Sequence, residues 1–561
     1  MRRRQFLKGA LAAGGAACAP ALLRGDRARA AAAGSRAADG RIEIRLHEPI
    51  GRIAPEIYGH FVEHLGAVVY GGVWVGERSK IPNLGGIRRS LVEALRRLKP
   101  AIIRWPGGCF ADSYDWRDGV GPRARRPRHT SFWGGAGEWP KPPADGPAKY
   151  ETNAFGTNEF MRLCRLVGAQ PYLAVNVRSG SPRDFMDWVE YCNGPPGSTT
   201  PADLRVGSGE RAPFGVRTWG VGNEPWGCGG NFTPEEYASE FRRFIEWVPD
   251  GGALSFVAAG SSDDDLDWTR RFFAKIAERH GVGRIWGYSL HHYAWNVSGG
   301  RTTDWTKGKG DAVKYPDEEW YELLREADRT ESFIDAHWKA MAAFDPAHKV
   351  KLVVDEWGAW YRPGSQVDDT HLLGQQSTMR DAVLAGLTLD TFNRHADKVA
   401  MANVAQLVNC LQSPLLAQAG GDKLILTPTF HVFEMYAPHQ GAESLRAEFS
   451  SPAPTYTRNG KPATLRGLMG SASRRDKQLV LTVTNPDLHE PRAAEIVLAG
   501  GSAAAAAVRC TTLATADVHA VNTFEEPDRI HPRQTTVAMN GASLVHEFPA
   551  ASVTRLEITL A

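Results

Sequence analysis

The sequence predicts an α/β protein: a (β/α)8 TIM barrel with a C-terminal all-β sandwich domain that also takes in the N-terminal strand. Three observations lead there. From residue 57 onward, a short apolar β-type run, a Gly/Pro/Asn-rich loop and an amphipathic helix recur in that order, which implies a parallel sheet covered by helices. The apolar runs number eight, the strand count that closes such a barrel. Beyond about residue 425 the pattern changes to short alternating segments parted by turn residues, as at 478–484 and 552–558, the pattern of a β-sandwich.

In chain order, Arg3-Arg4-Gln5-Phe6-Leu7-Lys8 is a twin-arginine pattern, followed by a small apolar run from Gly9 to Ala21 and a cleavage-like Ala28-Arg29-Ala30. Residues 1–30 therefore read as a twin-arginine signal peptide, too short in its apolar part to remain as a membrane span. The expectation is export of a folded protein to the periplasm or the exterior, with no membrane partner beyond that export. Cys18 resembles a lipid-attachment cysteine, but Gly15 stands where that pattern wants an aliphatic residue.

Arg41-Ile42-Glu43-Ile44-Arg45-Leu46 alternates polar and apolar with period two, a strand with one wet face. Standing alone, the segment 41–55 needs partners and is expected to join the C-terminal sheet. The catalytic barrel is assigned to 56–425, with strands at 57–61, 101–105, 171–177, 216–221, 255–259, 285–290, 351–354 and 399–408. Helices are expected at 87–98, 158–167, 234–248 and 375–393; in the first, Ile87, Leu91, Ala94, Leu95 and Leu98 keep helical spacing. Two long loops, 117–150 and 296–316, are of a size that shapes a cleft over a barrel mouth. The sandwich takes 426–561.

The formal net charge is +3 without a concentrated basic face, so nucleic acid is not a partner. The six cysteines beyond the leader, at 109, 164, 192, 228, 410 and 510, show no CxxC and no dense even spacing. They suggest no disulfide framework, and Cys164 and Cys192 read as isolated buried thiols.

Active sites of this fold lie at the C-terminal ends of the strands. Strand one ends in Gly59-His60-Phe61-Val62-Glu63-His64 and strand two in Arg104-Trp105-Pro106-Gly107-Gly108-Cys109-Phe110. Strands three and four end in Asn176 and Asn223-Glu224, strand six in His291-His292-Tyr293, strand seven in Asp355-Glu356-Trp357, and strand eight in the stretch from Gln406 to Asn409. Carboxylates, amides, imidazoles and indoles at one mouth suit a polyhydroxylated ligand. Glu224, flanked by Trp219 and Trp226, is placed for a raised pKa and general-acid work; its structural alternative is an Asn-Glu turn capping the next helix. Glu356 lies across the mouth. Two carboxyl groups about 5 Å apart flanking one glycosidic bond are what a retaining glycosidase needs.

Six fragments in order, Tyr58 to His64, Arg104 to Gly108, Tyr114 to Pro122, Trp219 to Gly227, Ser289 to Tyr293 and Asp355 to Trp357, resemble α-L-arabinofuranosidases of glycoside hydrolase family 51. The resemblance covers about residues 42 to 440. It implies a retaining, exo-acting hydrolase that releases terminal α-L-arabinofuranosyl residues from plant oligo- or polysaccharides, with no cofactor and no metal, assembled as a homo-oligomer. It implies Glu224 as acid/base, Glu356 as nucleophile and Asn223 as ligand of the sugar 2-hydroxyl. Glu63, His291, Tyr293 and Gln406 line the furanose pocket or orient the nucleophile, with Gln412 close by as a rival to Gln406, and Trp360 forms a wall. Cys109 stands at a sugar-binding position where many members have Asn, so a weak thiol contact is expected there. Two alternatives remain open. One is an endo-acting β-glucanase or xylanase on the same barrel; the other is a non-catalytic carbohydrate-binding protein, which the presence of both glutamates opposes.

Simpler readings hold for several neighbours. His60 and His64 lack a third metal ligand and are expected to hydrogen-bond behind the site. His291 points into the mouth and His292 away from it, Asp355 is a hydrogen-bond acceptor beside the nucleophile, and Asp263-Asp264-Asp265 is a solvated loop and helix cap. Trp116, Trp133, Trp295 and Trp305 line the outer cleft or simply pack.

Overall fold

The computed structural model describes residues 38–134, 150–248, 253–279, 282–300, 302, 304, 307–362 and 372–561. Eight parallel strands, Gly59–Phe61, Ile102–Trp105, Gln170–Val175, Thr218–Val221, Ser255–Ala258, Gly287–Ala294, Lys351–Ala359 and Val399–Val404, close a barrel in chain order. The eighth pairs with the first through Asn403 and Gly59. They are called barrel strands one to eight below. Because helices cover the outside and side chains fill the inside, these strands read as nearly continuous apolar runs.

The interior is layered. Ile102, Tyr172, Val257, Val353 and Met401 form an apolar floor. Side chains two residues further along a strand face the same way, so Arg104 and Asp355 stand one layer above Ile102 and Val353. Strand seven then breaks the alternation. Ser289 pairs with Val353 and His291 with Glu356, so strand seven spends one more residue than strand six over the same rise. The pairing with strand eight slips at the same place, between Val354 and Trp357. This bulge lets the consecutive Asp355 and Glu356 both reach inward-facing partners, which an unbroken strand would forbid.

Strands six and seven run to Ala294 and Ala359, further than their apolar runs end, because residues 291–294 pair with residues 356–359 above the barrel. The expected helix at 87–98 starts at Arg89, since Ile87–Arg88 pairs with Asn83–Leu84 across the Gly85-Gly86 turn. The one expected at 375–393 starts at Met379, where Thr378 and Asp381 form a reciprocal capping box. The same device opens Pro182–Asn193 and Pro234–Ile245. Among the described residues no helix is long and apolar enough to cross a membrane.

Gly40–Arg52 lies inside a nine-stranded sheet, antiparallel to Glu443–Ser450 and parallel to Arg492–Ala499. Ile42, Ile44 and Leu46 share one apolar cluster with Leu481, Ile496, Leu544 and Leu556, from both halves of the strand order, so the sheet folds over itself as a sandwich. The sandwich is keyed to the barrel by Asp390 of helix Met379–Arg394, whose buried carboxyl group accepts from Ser471, Thr482 and Tyr436.

Candidate active site

The strand ends enclose a cavity walled by Glu63, Cys109, Glu224, His291, Tyr293, Glu356, Trp360 and Gln406, together with Trp133, Trp226, Asp263, Trp295, Leu373 and Leu411. The glutamates at 224 and 356 sit in different surroundings. Glu356, 6% exposed, takes 2.7 Å from Arg104 Nη1 on Oε1 and 2.8 Å from the Tyr293 hydroxyl on Oε2. Both oxygens are thus held by donors that fix the orientation of the carboxyl group.

Arg104 is the hub beneath. Fully buried, it also donates to Asn223 Oδ1 at 2.7 Å, and its Nε lies 3.5 Å from Asp355. Burial alone would raise the Asp355 pKa, but Arg104 and His291, with Ser289 donating at 2.5 Å, hold it well below the usual carboxylate range. Tyr172 donates to its other oxygen at 2.7 Å.

Glu224 stands on a turn, with φ +40°, in the left-handed region that costs a non-glycine residue about 1–3 kcal/mol. The turn is pinned by Asn223 N on Asp112 Oδ2 at 3.0 Å and by the amides of Gly227 and Gly229 on the Glu224 carbonyl. Its Oε1 lies 3.0 Å from His291 Nδ1. Burial chiefly, with the nearby Glu356 adding, raises its pKa against the pull of His291. Burial opposes charge on His291, yet Glu356, Asp355 and Glu224 push its pKa up to about 10. The ring is therefore an imidazolium that donates from both nitrogens, to Glu224 and to Asp355 Oδ1 at 3.2 Å. One oxygen each of Glu224 and Glu356 and a nitrogen of His291 fall within 4.8 Å of one another. These groups satisfy each other and Arg104, so the trio is a hydrogen-bonded network rather than a vacant metal set.

Glu63 forms the cavity wall on the strand-one side. Phe110 N, Trp133 Nε1 and Gln406 Nε2 donate to it at 3.0, 3.2 and 3.1 Å, and Gln406 Oε1 accepts from its amide. Burial and the charge of Glu356 push its pKa up to about 8. Gly108 is required here, since a Cβ on it would meet Glu63 Oε1 at 2.5 Å. Gln412 stays out of the cavity, engaged with Ala359 N and Asp381 O, so Gln406 is the glutamine at the site. Trp360 meets Tyr293 edge to face at 5.3 Å.

Of the expected site residues, Asn223 does not line the cavity. It lies behind Glu224, 1% exposed, with Oδ1 taken by Arg104. His64 binds Glu151 and Trp105 Nε1 in the layer behind, and His292 binds Asp263 and the Glu326 carbonyl. Trp116 stacks on Trp188 and donates to the Asp184 carbonyl, which is packing. Trp133, Trp226 and Trp295 do line the cavity. Residues 135–149 of the first long loop, and Trp305 of the second, lie outside the described residues.

The cysteines require a correction. Cys109, expected to offer a thiol contact, is joined in a disulfide to Cys228, 119 residues further on. The expectation failed because pairing across a barrel mouth leaves no short spacing to read. Cys109 Sγ and Cys228 Sγ lie 3.8 and 3.5 Å from Glu224 Oε2, but as disulfide sulfurs they carry no proton to donate. Arg104 was quoted above only as part of a motif; a buried charge one layer below the carboxylates was the signal that could have found it.

A family model described as alpha-L-arabinofuranosidase 1 domain matches residues 94–296, and one described as alpha-L-arabinofuranosidase C-terminal domain matches residues 355–552. The chain is 36% identical over 535 residues to the intracellular exo-alpha-L-arabinofuranosidase of Bacteroides ovatus, covering 94% of this chain and 98% of that relative. It is 30% identical over 518 residues to the intracellular exo-alpha-(1->5)-L-arabinofuranosidase of Streptomyces lividans, covering 88% of this chain and 71% of that one. The crystal structure of the GH51 arabinofuranosidase from Xanthomonas axonopodis pv. citri matches with TM-score 0.84 at 35% identity, over 93% of this chain and 100% of its own. Relatives named intracellular overturn the expectation of export to the periplasm or the exterior. An arginine pair before a short apolar run is a low-information pattern, and the leader itself, residues 1–30, lies outside the described residues.

Proposed function

The chain belongs to the α-L-arabinofuranosidases of glycoside hydrolase family 51, and we propose that it removes terminal α-L-arabinofuranosyl residues, one at a time and with retention, from arabinose-containing oligo- or polysaccharides. The observation that carries the mechanism is the closeness of Glu224 and Glu356, with one oxygen of each within 4.8 Å. A retaining pair needs a separation near 5 Å, whereas an inverting pair needs roughly 6.5–9.5 Å to seat a water between.

In the first step Glu356 attacks the anomeric carbon while the proton of Glu224 passes to the leaving oxygen. The glycosidic bond breaks and a glycosyl ester on Glu356 forms. In the second step Glu224, now a carboxylate, takes a proton from water, which attacks the same carbon and frees arabinose and Glu356. Arg104 and Tyr293 fix the nucleophile's oxygens, and His291 holds Glu224 Oε1. Asn223, whose oxygen accepts from Arg104 and whose amide nitrogen faces Cys228 Sγ at 3.7 Å, steadies the turn carrying Glu224 from behind the cavity. Exo action is supported by the names of the relatives. The homo-oligomer implied by the family resemblance belongs to the same proposal and is tested by sedimentation equilibrium.

The test is an aryl α-L-arabinofuranoside assay on the Glu356→Ala variant. Turnover falls by at least about 10⁴-fold, and azide restores it as an inverted glycosyl azide. A variant that keeps a substantial fraction of wild-type turnover rules the assignment out.

A further inference from the structure

We infer that the Cys109–Cys228 disulfide positions Glu224 for proton transfer, and that its reduction by a small thiol changes how readily that carboxyl group keeps its proton. The inference rests on the reading of Glu224 as the acid/base and goes beyond it, because it makes acid catalysis depend on a redox state.

Cys228 sits four residues beyond Glu224 in the same turn, whose Gly227 and Gly229 amides bind the Glu224 carbonyl. Cys109 belongs to the loop after strand two, which the Glu63 carboxyl group fixes by accepting from Phe110 N. The bridge therefore ties the turn carrying Glu224, with its left-handed backbone, to a separately anchored loop across the mouth.

The two oxygens of Glu224 meet different chemistry. His291 occupies Oε1, while the two sulfurs face Oε2 at 3.5 and 3.8 Å. A disulfide has no hydrogen to give, so Oε2 is left as the oxygen that carries the acid's proton. Reduction reverses this. Two thiol molecules supply two electrons and two protons: the Cys109–Cys228 bond breaks, two S–H groups form, and the thiols leave as their own disulfide. The two sulfurs part to non-bonded distance as S–H groups that start 3.5 and 3.8 Å from Oε2, and an S–H turned to that oxygen is a donor that favours the ionised carboxylate.

The remaining charged or titratable groups facing Glu224 do not change in this exchange. They are His291 and Tyr293 from strand six, Asp355 and Glu356 from strand seven, Arg104 from strand two, and Glu63, Asp112 and Asp263 from the loops. Access is open as well. Both bridged cysteines are half-buried and Cys109 lines the cavity, whereas Cys164, Cys192, Cys410 and Cys510 are buried. The cell interior, where the relatives are named to reside, supplies glutathione-like thiols.

The experiment compares oxidised enzyme with enzyme reduced by dithiothreitol and desalted, with thiols counted in denaturant. The oxidised chain shows two fewer reactive thiols. The alkaline limb of kcat/KM against pH for a poor leaving group, such as an alkyl arabinofuranoside, then moves down by about one pH unit on reduction, while a dinitrophenyl arabinofuranoside, which needs no protonation, keeps its profile. A Cys109→Ser/Cys228→Ser variant, with hydroxyl donors in place of S–H, reproduces the reduced profile and ignores thiol. A Cys109→Ala/Cys228→Ala variant, without donors, keeps the oxidised limb but loses kcat. Superimposable limbs for the oxidised and reduced enzyme, or equal thiol counts, overturn the inference. If instead Glu224→Ala showed no leaving-group dependence, the acid/base reading beneath it would be the part that fails.

Discussion

Glu224 and Glu356 are the same residue at the same mouth, yet the chain fits them in opposite ways. Glu356 stands on a bulged strand, rigid in the ladder, with a guanidinium and a phenol on its two oxygens. Glu224 stands on a strained turn, with an imidazolium on one oxygen and two sulfurs without protons at the other. One setting fixes a carboxyl group in place; the other, whose burial raises the pKa, favours a group that can hold and release a proton. Two carboxyl groups divide acid work from nucleophilic work through such differences in environment.

That contrast can be broken from either side. The largest effect after loss of the nucleophile falls on Glu224→Ala: kcat/KM on poor leaving groups drops by roughly 10³-fold, but on dinitrophenyl arabinofuranoside only slightly, and azide then returns a glycosyl azide of retained configuration. Equal losses on both substrates would erase the asymmetry. Next comes Arg104→Met, which leaves Asp355 and Glu356 buried without their cation. Breaking a buried pair in this way costs about 3–5 kcal/mol, read as a fall in the denaturation midpoint, and kcat falls with it. The linkage has a definite sign. The Asp355 pKa is depressed in the folded state, so its contribution to stability is present above the unfolded value and lost as pH falls through the folded one. In Arg104→Met that acid-side dependence shrinks. The smallest effect is that of Tyr293→Phe, which removes one donor from Glu356 and lowers kcat by roughly tenfold to a hundredfold with little change in KM. A KM effect alone would mean that Tyr293 serves the sugar rather than the nucleophile.

How much of this was readable from residues alone follows physical lines. The eight strands were legible because burial on both faces makes them apolar throughout, and the lone strand at 41–46 because one wet face makes it alternate. Glu224 and Glu356 were legible because a polar residue at the end of an apolar run has few structural excuses. The bulge at residues 354–356 was not, since register is a property of two strands and neither sequence states it. Nor was the Cys109–Cys228 bridge, whose partners meet only once the barrel closes. Asn223 shows the limit of carrying a role by motif: it sits beside Glu224 in sequence, yet its oxygen is spent on Arg104, behind the cavity wall. The leader-like start misled because short basic and apolar runs recur without meaning an address.

The strand Gly40–Arg52 sits in the middle of a sheet whose other members are all made last. Arg41 finds its neighbours at Ser450 and Glu495, 409 and 454 residues downstream. At the ribosome's pace of about 5–20 residues per second, that is roughly 20–90 s of waiting. For that time a strand bearing Ile42, Ile44 and Leu46 is an unpaired, sticky edge, and the whole barrel must be threaded out before this early segment can find its place. The sandwich is thus completed by a strand made before the barrel, and crowding by other nascent chains is the hazard this topology has to survive.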